Sequence, residues 1–168
     1  MRVCFIGHRK IEKSEALTSL LKETIYTLIS DGVDTFLFGS MSEFDNLSWS
    51  IVTQIKETHP FVKRVYVRSS SQYIEKSYEQ YLLQFYEETY FPSGVGKAGK
   101  LAYVKRNYEM IDNSDYCIFY YSDNYQSSLI RNSGTKLAYD YAVKKKKVII
   151  NLCKAGSADC SLELKDQN

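Results

Sequence analysis

The segment Asp115-Tyr-Cys-Ile-Phe-Tyr-Tyr121, followed by a polar loop and then Arg131-Asn-Ser-Gly-Thr135, decides the fold. Its first seven residues carry five aromatic or β-branched apolar side chains without alternation, which is typical of a strand covered on both faces of a parallel sheet. The loop then places Ser133, Gly134 and Thr135 directly before residues at helical spacing. Free backbone N–H groups at such a helix start attract anions. The same residues are also consistent with a helix cap and a turn that have no ligand.

The rest of the chain alternates strand patterns with helix patterns. Apolar runs predict strands at 2–7, 35–38, 62–67 and 148–152, and helical spacing recurs at 14–30, 44–55 and 100–111. This alternation predicts an α/β fold, a Rossmann-like doubly wound and mainly parallel sheet of about five strands with helices on both faces. We expect one domain over residues 1–153 and a polar C-terminal tail over 154–168, because 168 residues are enough for one self-sufficient core.

Composition limits the expected partners. The chain has 22 Lys+Arg against 20 Asp+Glu, a net charge of +2, so we expect nucleic acid to be an unlikely partner. The lysines at 144–147 follow a predicted helix, where they complement its dipole as solvated charge. No apolar run reaches the length of a membrane span, which predicts no membrane partner. Cys4 and Cys117 lie inside strand patterns and are predicted to be buried thiols, in keeping with a cytoplasmic protein.

An insertion at about 69–99 interrupts the alternation. It has helical spacing of apolar residues over 73–88 and then four bend-forming residues in close succession, Pro92, Gly94, Gly96 and Gly99. Two interpretations stay open, a flap over the site and an ordinary surface excursion. Trp49, the only tryptophan, is placed by its spacing at the surface, against another subunit or under this insertion.

The loops that follow the strands are the candidate site. Gly7, His8 and Arg9 follow the first strand and Gly39 follows the second, and in a parallel sheet such loops line the ligand crevice. His8 is alternatively a turn residue and Arg9 a solvated charge. Asp45 falls in the first turn of the next helix, where a carboxylate also favours the helix dipole. No dinucleotide glycine fingerprint, Walker motif or zinc-ligand spacing is present, so we predict no cofactor and no metal.

Four motifs in order carry a family resemblance. They are Cys4-Phe-Ile-Gly-His-Arg9, Phe38-Gly-Ser-Met-Ser-Glu-Phe-Asp45, Tyr103-Val-Lys-Arg-Asn-Tyr-Glu-Met-Ile-Asp-Asn-Ser-Asp115, and Ser133-Gly-Thr135 before Ala138-Tyr-Asp-Tyr-Ala142. Together, across residues 2–152, they resemble the SLOG superfamily, the Rossmann-like group named after the Smf/DprA and LOG proteins. The pattern is most similar to its small stand-alone bacterial and phage members.

The resemblance implies a nucleotide-derived ligand held between the loops after the first, second and fourth strands. Carried over by position, one wall of the crevice is Gly7, His8 and Arg9, and the other includes Gly39, Ser40 and Asp45. By the same comparison, the phosphate of the ligand would face the helix start at Ser133, Gly134 and Thr135. A polar pair at the mouth of the crevice would be Arg106 and Asn107. The resemblance also implies a homo-oligomer, for which the tyrosine-rich helix at 73–90 is one candidate surface.

Departures from the family pattern decide between functions. Ser40 and Glu43 stand where the family usually has glycines, and Ala138 stands where the LOG enzymes use a glutamate. Without that carboxylate, the leading prediction is a module that senses or sequesters a nucleotide or an NAD-derived molecule. The alternative is an N-glycosidic-bond hydrolase that uses Asp45, Glu43 or Asp140. A third option is binding of single-stranded DNA, against which the near-neutral charge argues.

Overall fold

The computed structural model describes residues 1–39, 42–69, 76–96, 98–122 and 133–153. Within these ranges six strands form one sheet in the order β4-β3-β2-β1-β5-β6, and every neighbouring pair is parallel. The strands are β1 (Arg2–Gly7), β2 (Thr35–Phe38), β3 (Lys63–Val67), β4 (Glu88–Tyr90), β5 (Tyr116–Tyr120) and β6 (Val148–Asn151). The predicted α/β, Rossmann-like parallel sheet is therefore confirmed.

Five α-helices connect the strands. They are α1 (Glu15–Ser30), α2 (Glu43–Thr58), α3 (Lys76–Leu82), α4 (Ala102–Asp112) and α5 (Gly134–Lys144), and a 3₁₀ turn at Gly99–Leu101 precedes α4. The start of α1 is the one that the sequence predicts, because the Ser14 hydroxyl accepts a hydrogen bond from the Leu17 N–H at 3.1 Å. No described helix has both the length and the apolar content that crossing a membrane requires.

The strand side chains alternate between two buried layers. On one face Val3 and Phe5 pack with α1 and α2; on the other Cys4 and Ile6 pack with α4 and α5. This two-sided burial explains why the strands read as unbroken apolar runs. Cys4 and Cys117 are opposite each other in the β1–β5 register and fully buried, as predicted; their mutual hydrogen bond and burial raise the pKa of the Cys117 thiol.

In the described residues the sheet has six strands where about five were expected, because the insertion contributes β4. This three-residue strand pairs with β3, Val65 opposite Glu88, and the Arg64 guanidinium holds the Glu87 carboxylate at 2.7 Å beside it. Within the described residues, the helix predicted at 73–88 ends at Leu82. Residues 88–90 extend the sheet, so β3 is not an edge strand. The flap expected from the bends at 92–99 stays a prediction.

Trp49 lies under the insertion, which settles the three alternatives left by its spacing. Its ring contacts Phe85 at a centroid distance of 6.5 Å and Tyr86 at 6.3 Å. Nearby, Tyr81 and Leu83 remain exposed. The homo-oligomer surface expected there stays a prediction.

The order of the strands locates the crevice. From β1 the chain continues to β2, β3 and β4 on one side of the sheet, while β5 and β6 lie on the other side. The winding direction therefore reverses between β1 and β5. In open parallel sheets, ligands bind outside the carboxyl ends of the strands at such a reversal.

Candidate functional site

The N-terminus of α5 lies at this reversal point. Ser133 is its N-cap, since the Ser133 hydroxyl accepts a hydrogen bond from the Lys136 N–H at 3.1 Å. The Thr135 hydroxyl donates to the Gly7 carbonyl at 3.1 Å, which ties the first turn of α5 to the end of β1. The two hydroxyls thus fix the position of the helix start.

Gly134, the first residue of α5, is exposed. A Cβ atom at this position would meet nothing within 4 Å, and its backbone is outside the left-handed region. Neither packing nor backbone geometry in the described residues therefore requires a glycine here. The first turn contains no acidic residue. The Lys136 N–H is taken by the Ser133 hydroxyl, so the helix dipole and the N–H groups of Gly134 and Thr135 are those offered to an anion.

The loop after β1 forms the opposite wall. The Arg9 carbonyl accepts a hydrogen bond from the Glu43 N–H at 2.9 Å, which joins this loop to the start of α2. The Arg9 side chain is exposed. Gly7 has a packing role, because a Cβ there would lie 2.5 Å from Cδ1 of Phe44.

His8 joins the loop after β1 to the loop after β5. Only 2% of its surface is exposed, and its Nε2 accepts a hydrogen bond from the Ser122 N–H at 3.0 Å. Its ring also packs against Tyr121 at 5.7 Å. The acceptor role requires an unprotonated Nε2, and burial lowers the pKa of His8 accordingly. His8 therefore positions the crevice loops and offers little surface to a ligand.

We expect acidification to loosen this link. Because the pKa of His8 is lowered in the folded state, its contribution to stability is complete above the ordinary value of about 6.5. That contribution is lost as the pH falls below 6.5 and through the folded-state pKa. Thermal melting between pH 7 and 5.5, above the range in which carboxylates titrate, measures the effect. His8→Gln keeps an acceptor without the titration, so its melting temperature should change less with pH; equal slopes in both proteins would contradict the assignment.

The second half of the site lies at the ends of β2 and β3. Arg106 of α4 reaches this edge, where its Nη1 donates to the Val67 carbonyl at 3.4 Å and its Nε to Asn107 Oδ1 at 3.0 Å. A Cβ at Gly39 would lie 2.5 Å from Arg106 Nη1. The guanidinium is thus packed beneath Gly39, and only 2% of Arg106 is exposed.

This burial corrects the expectation that Arg106 stands at the mouth of the crevice. Gly39 has no side chain and therefore leaves room for the Arg106 side chain to pack inward. Burial lowers the pKa of Arg106, and the negative charge of Asp45 opposes that shift. Asp45 is itself 3% exposed, and its N–H donates to the Ser42 hydroxyl at 3.1 Å. Asp45 and Arg106 are thus two buried residues of opposite charge, and the negative charge of Asp45 acts on the guanidinium beneath the loop after β2.

The other carboxylates considered for hydrolysis are held by lysines. Glu43 binds the Lys10 ammonium at 2.8 Å and the Ile11 N–H at 3.1 Å; the bond from Lys10 is the main reason that the pKa of Glu43 is lowered. Asp140 forms an ion pair with Lys136 at 3.4 Å. Within the described residues, none of these placements gives the pair of facing carboxylates that glycosidic cleavage uses. Ser40 lies outside those residues.

The sequence interpretation missed the surface at the start of α4. Tyr103 is 63% exposed, with the Arg106 guanidinium 6.0 Å from its ring centroid. The N-cap of α4 makes no side-chain hydrogen bond. A signal was present in the sequence, because residues 92–108 contain four cations and no acidic residue. Averaging the charge over the whole chain hid this local excess.

The lysines at 144–147, by contrast, end α5 at the opposite edge of the sheet. Lys147 donates to the Ser114 carbonyl at 2.7 Å, and Lys145 pairs with Asp112 at 2.8 Å. These contacts are those of solvated and structural charge, in line with the interpretation from sequence.

Comparisons with family models and with curated proteins find no match. Among solved structures, the chain is similar to DNA processing protein A from Helicobacter pylori, a protein with a described single-stranded DNA binding mode. The TM-score is 0.55 at 17% identity, over 89% of this chain and 63% of that chain. The chain therefore spans less than two thirds of its neighbour's length.

The expectation that nucleic acid is an unlikely partner was wrong. A protein with a similar fold binds single-stranded DNA, so a near-neutral total charge does not exclude this class of partner. The physical reason is that phosphate contacts depend on local charge, and here the local charge is concentrated at residues 92–108. What the likeness shows for this chain is a Rossmann-like α/β fold of the kind found in DNA processing protein A.

Proposed function

We propose that this chain is a SLOG-type module that binds a nucleotide-derived ligand, with a phosphate of the ligand at the N-terminus of α5. The observation that carries the proposal is Gly134. It opens a helix at the strand-order reversal, in a conformation open to any residue, and no atom of the described residues would lie within 4 Å of a Cβ there. A side chain there would cover the N–H groups that bind a phosphate. Ligand binding, and not folding, therefore explains why residue 134 has no side chain.

The charges around the helix start agree with an anionic ligand. Lys136 lies in the first turn of α5, and Arg9 is exposed on the opposite wall. Two acidic side chains of these loops are engaged, Asp140 with Lys136 and Glu43 with Lys10. Because these two candidate carboxylates are held by lysines, the described residues favour binding over hydrolysis.

The test is the shift in melting temperature with AMP, ADP-ribose, NAD and ribose 5-phosphate. A ligand at about 100 times its dissociation constant adds roughly 2.7 kcal/mol, which corresponds to a rise on the order of 5 to 11 °C in a domain of this size. A stable rise supports binding. A rise that decays on incubation supports the hydrolase alternative, and the absence of a rise with every compound contradicts the proposal.

Single-stranded DNA is the second candidate ligand, favoured by the solved neighbour and by the surface at the start of α4. The start of α4 has an exposed Tyr103 ring and an exposed Lys105, in a stretch of sequence, 92–108, that contains four cations and no acidic residue. Proteins that bind single strands combine positive charge along the backbone with aromatic rings that stack on bases. The end of β3, bonded to Arg106, places this surface at the same edge of the sheet as the crevice.

We expect Tyr103→Ala to weaken binding of a short single-stranded oligonucleotide by the loss of one stacked base. That loss is about 1–3 kcal/mol, or roughly 5- to 150-fold in the dissociation constant. Fluorescence anisotropy at fixed salt measures it. Tyr26→Ala is the matched control, because Tyr26 is also exposed but lies on α1. Equal affinities for both variants and the wild type would remove Tyr103 from the interface.

A further inference from the structure

A cavity of about 320 Å³ lies at the carboxyl ends of β1, β5 and β6, lined by His8, Tyr120, Ser122, Cys153 and the chain at 10–12. None of its lining residues belongs to α5. We propose that it binds the base of the ligand whose phosphate is held by α5. This inference rests on the proposed function. It adds that the ligand is a nucleoside phosphate and that its base occupies this cavity.

The lining suits a flat, uncharged heteroaromatic group. The Tyr120 ring is braced by Phe44, stacked on it at 5.7 Å and 30°, and Ile11 adds a second apolar side chain. Bases stack on such rings whatever their sequence identity. Of the two charged residues on the lining, Lys10 is paired with Glu43 at 2.8 Å and Glu12 is exposed.

Polar groups are present to bind the edge of a base. Tyr120, Ser122 and Cys153 bring two hydroxyl groups and a thiol to the lining. Apolar walls with a few convergent hydrogen-bonding groups are the usual construction of small-molecule sites, and the volume falls at the lower end of their range of about 300–1,000 Å³. It is enough for a base but small for a dinucleotide.

The cavity and the helix start are joined through two consecutive residues. The Gly7 carbonyl accepts the Thr135 hydroxyl on one side, and His8 Nε2 accepts the Ser122 N–H on the other. Tyr120 and Ile11 pack with the layer of α1 and α2, whereas α5 packs on the other face of the sheet. A ligand that reaches both sites therefore passes over the carboxyl ends of the strands at Gly7 and His8.

Cys153 provides the test, because it is the partly exposed cysteine on this lining while Cys4 and Cys117 are fully buried. In a Cys160→Ser background, the rate of alkylation by N-ethylmaleimide reports access to the cavity. Saturating AMP is expected to slow the modification of Cys153 at least tenfold. Ribose 5-phosphate, which has the same phosphate and no base, is expected to leave the rate unchanged.

A pair of variants makes the test independent of thiol chemistry. Cys153→Phe fills the cavity and should weaken AMP binding at least tenfold while ribose 5-phosphate binds as before; Cys153→Ala, the matched control, should retain AMP binding. If AMP raises the melting temperature but neither slows alkylation nor responds to Cys153→Phe, the inference fails and the proposed function stands. Equal protection by AMP and ribose 5-phosphate also overturns it. If no nucleotide binds the wild type, the proposed function fails, and the inference with it.

Discussion

Replacing Arg106 with methionine should lower the free energy of unfolding by about 3–5 kcal/mol, the usual cost of removing one of two opposite charges that interact in a buried environment. Arg106 and Asp45 are 2% and 3% exposed, and the carboxylate raises the pKa of the guanidinium against the effect of burial. Methionine has a similar length but brings no charge and no donor for Val67 or Asn107. Urea unfolding measures the loss, which corresponds to roughly 6–20 °C in melting temperature.

The double variant with Asp45→Asn shows whether the two charges are coupled. Removing the second charge should recover part of the stability that Arg106→Met loses, because the remaining buried carboxylate accounts for much of the cost. Strictly additive losses, or a single-variant loss below about 1 kcal/mol, would mean that the pair does not support the loop after β2.

Replacing Gly134 with valine is expected to weaken nucleotide binding at least 100-fold, about 2.7 kcal/mol, with the fold intact. The valine Cβ would meet no atom of the described residues within 4 Å, so unfolding should be little affected. The branched side chain would instead cover the N–H groups at the start of α5. Isothermal titration with AMP measures the affinity, and circular dichroism the fold.

Two alanine variants form the matched control. Gly134→Ala should keep or raise stability, by up to about 1 kcal/mol. Gly7→Ala should lower it by about 1–3 kcal/mol through overpacking, because the new Cβ would lie 2.6 Å from Cβ of Phe44. If Gly134→Val binds AMP like the wild type, the helix start is a cap and a turn only.

Much of the fold follows from periodicity. The two-sided apolar runs of β1 and β5 and the helical spacing of α1, α2 and α4 fix the alternation, and the alternation fixes a parallel sheet. The strand β4 was missed because its three residues, Glu88–Tyr90, have no pattern of their own. They become a strand only because the edge of β3 offers them hydrogen-bonding partners.

The candidate site was predicted as a set of loops but not in its internal roles. A glycine at the end of a strand indicates that another group packs closely against the backbone there, but the sequence does not identify that group. Gly7 accommodates Phe44 and Gly39 accommodates Arg106, whereas Gly134 has open space. The burial of Arg106 depends on Asp45, which lies in a different helix and is brought to it only by tertiary packing. Sequence spacing therefore identified the glycines of the site. Only the structure shows that Gly7 and Gly39 are required for packing and that Gly134 is not.

The most direct test of the central claim is a titration of ¹⁵N-labelled protein with AMP, followed by the backbone amide signals of Gly134 and Thr135. Both signals are expected to shift saturably, with the dissociation constant that calorimetry gives, and the Thr135 signal is expected to stop responding in Gly134→Val. Saturable binding of AMP that leaves both amide signals in place would contradict it.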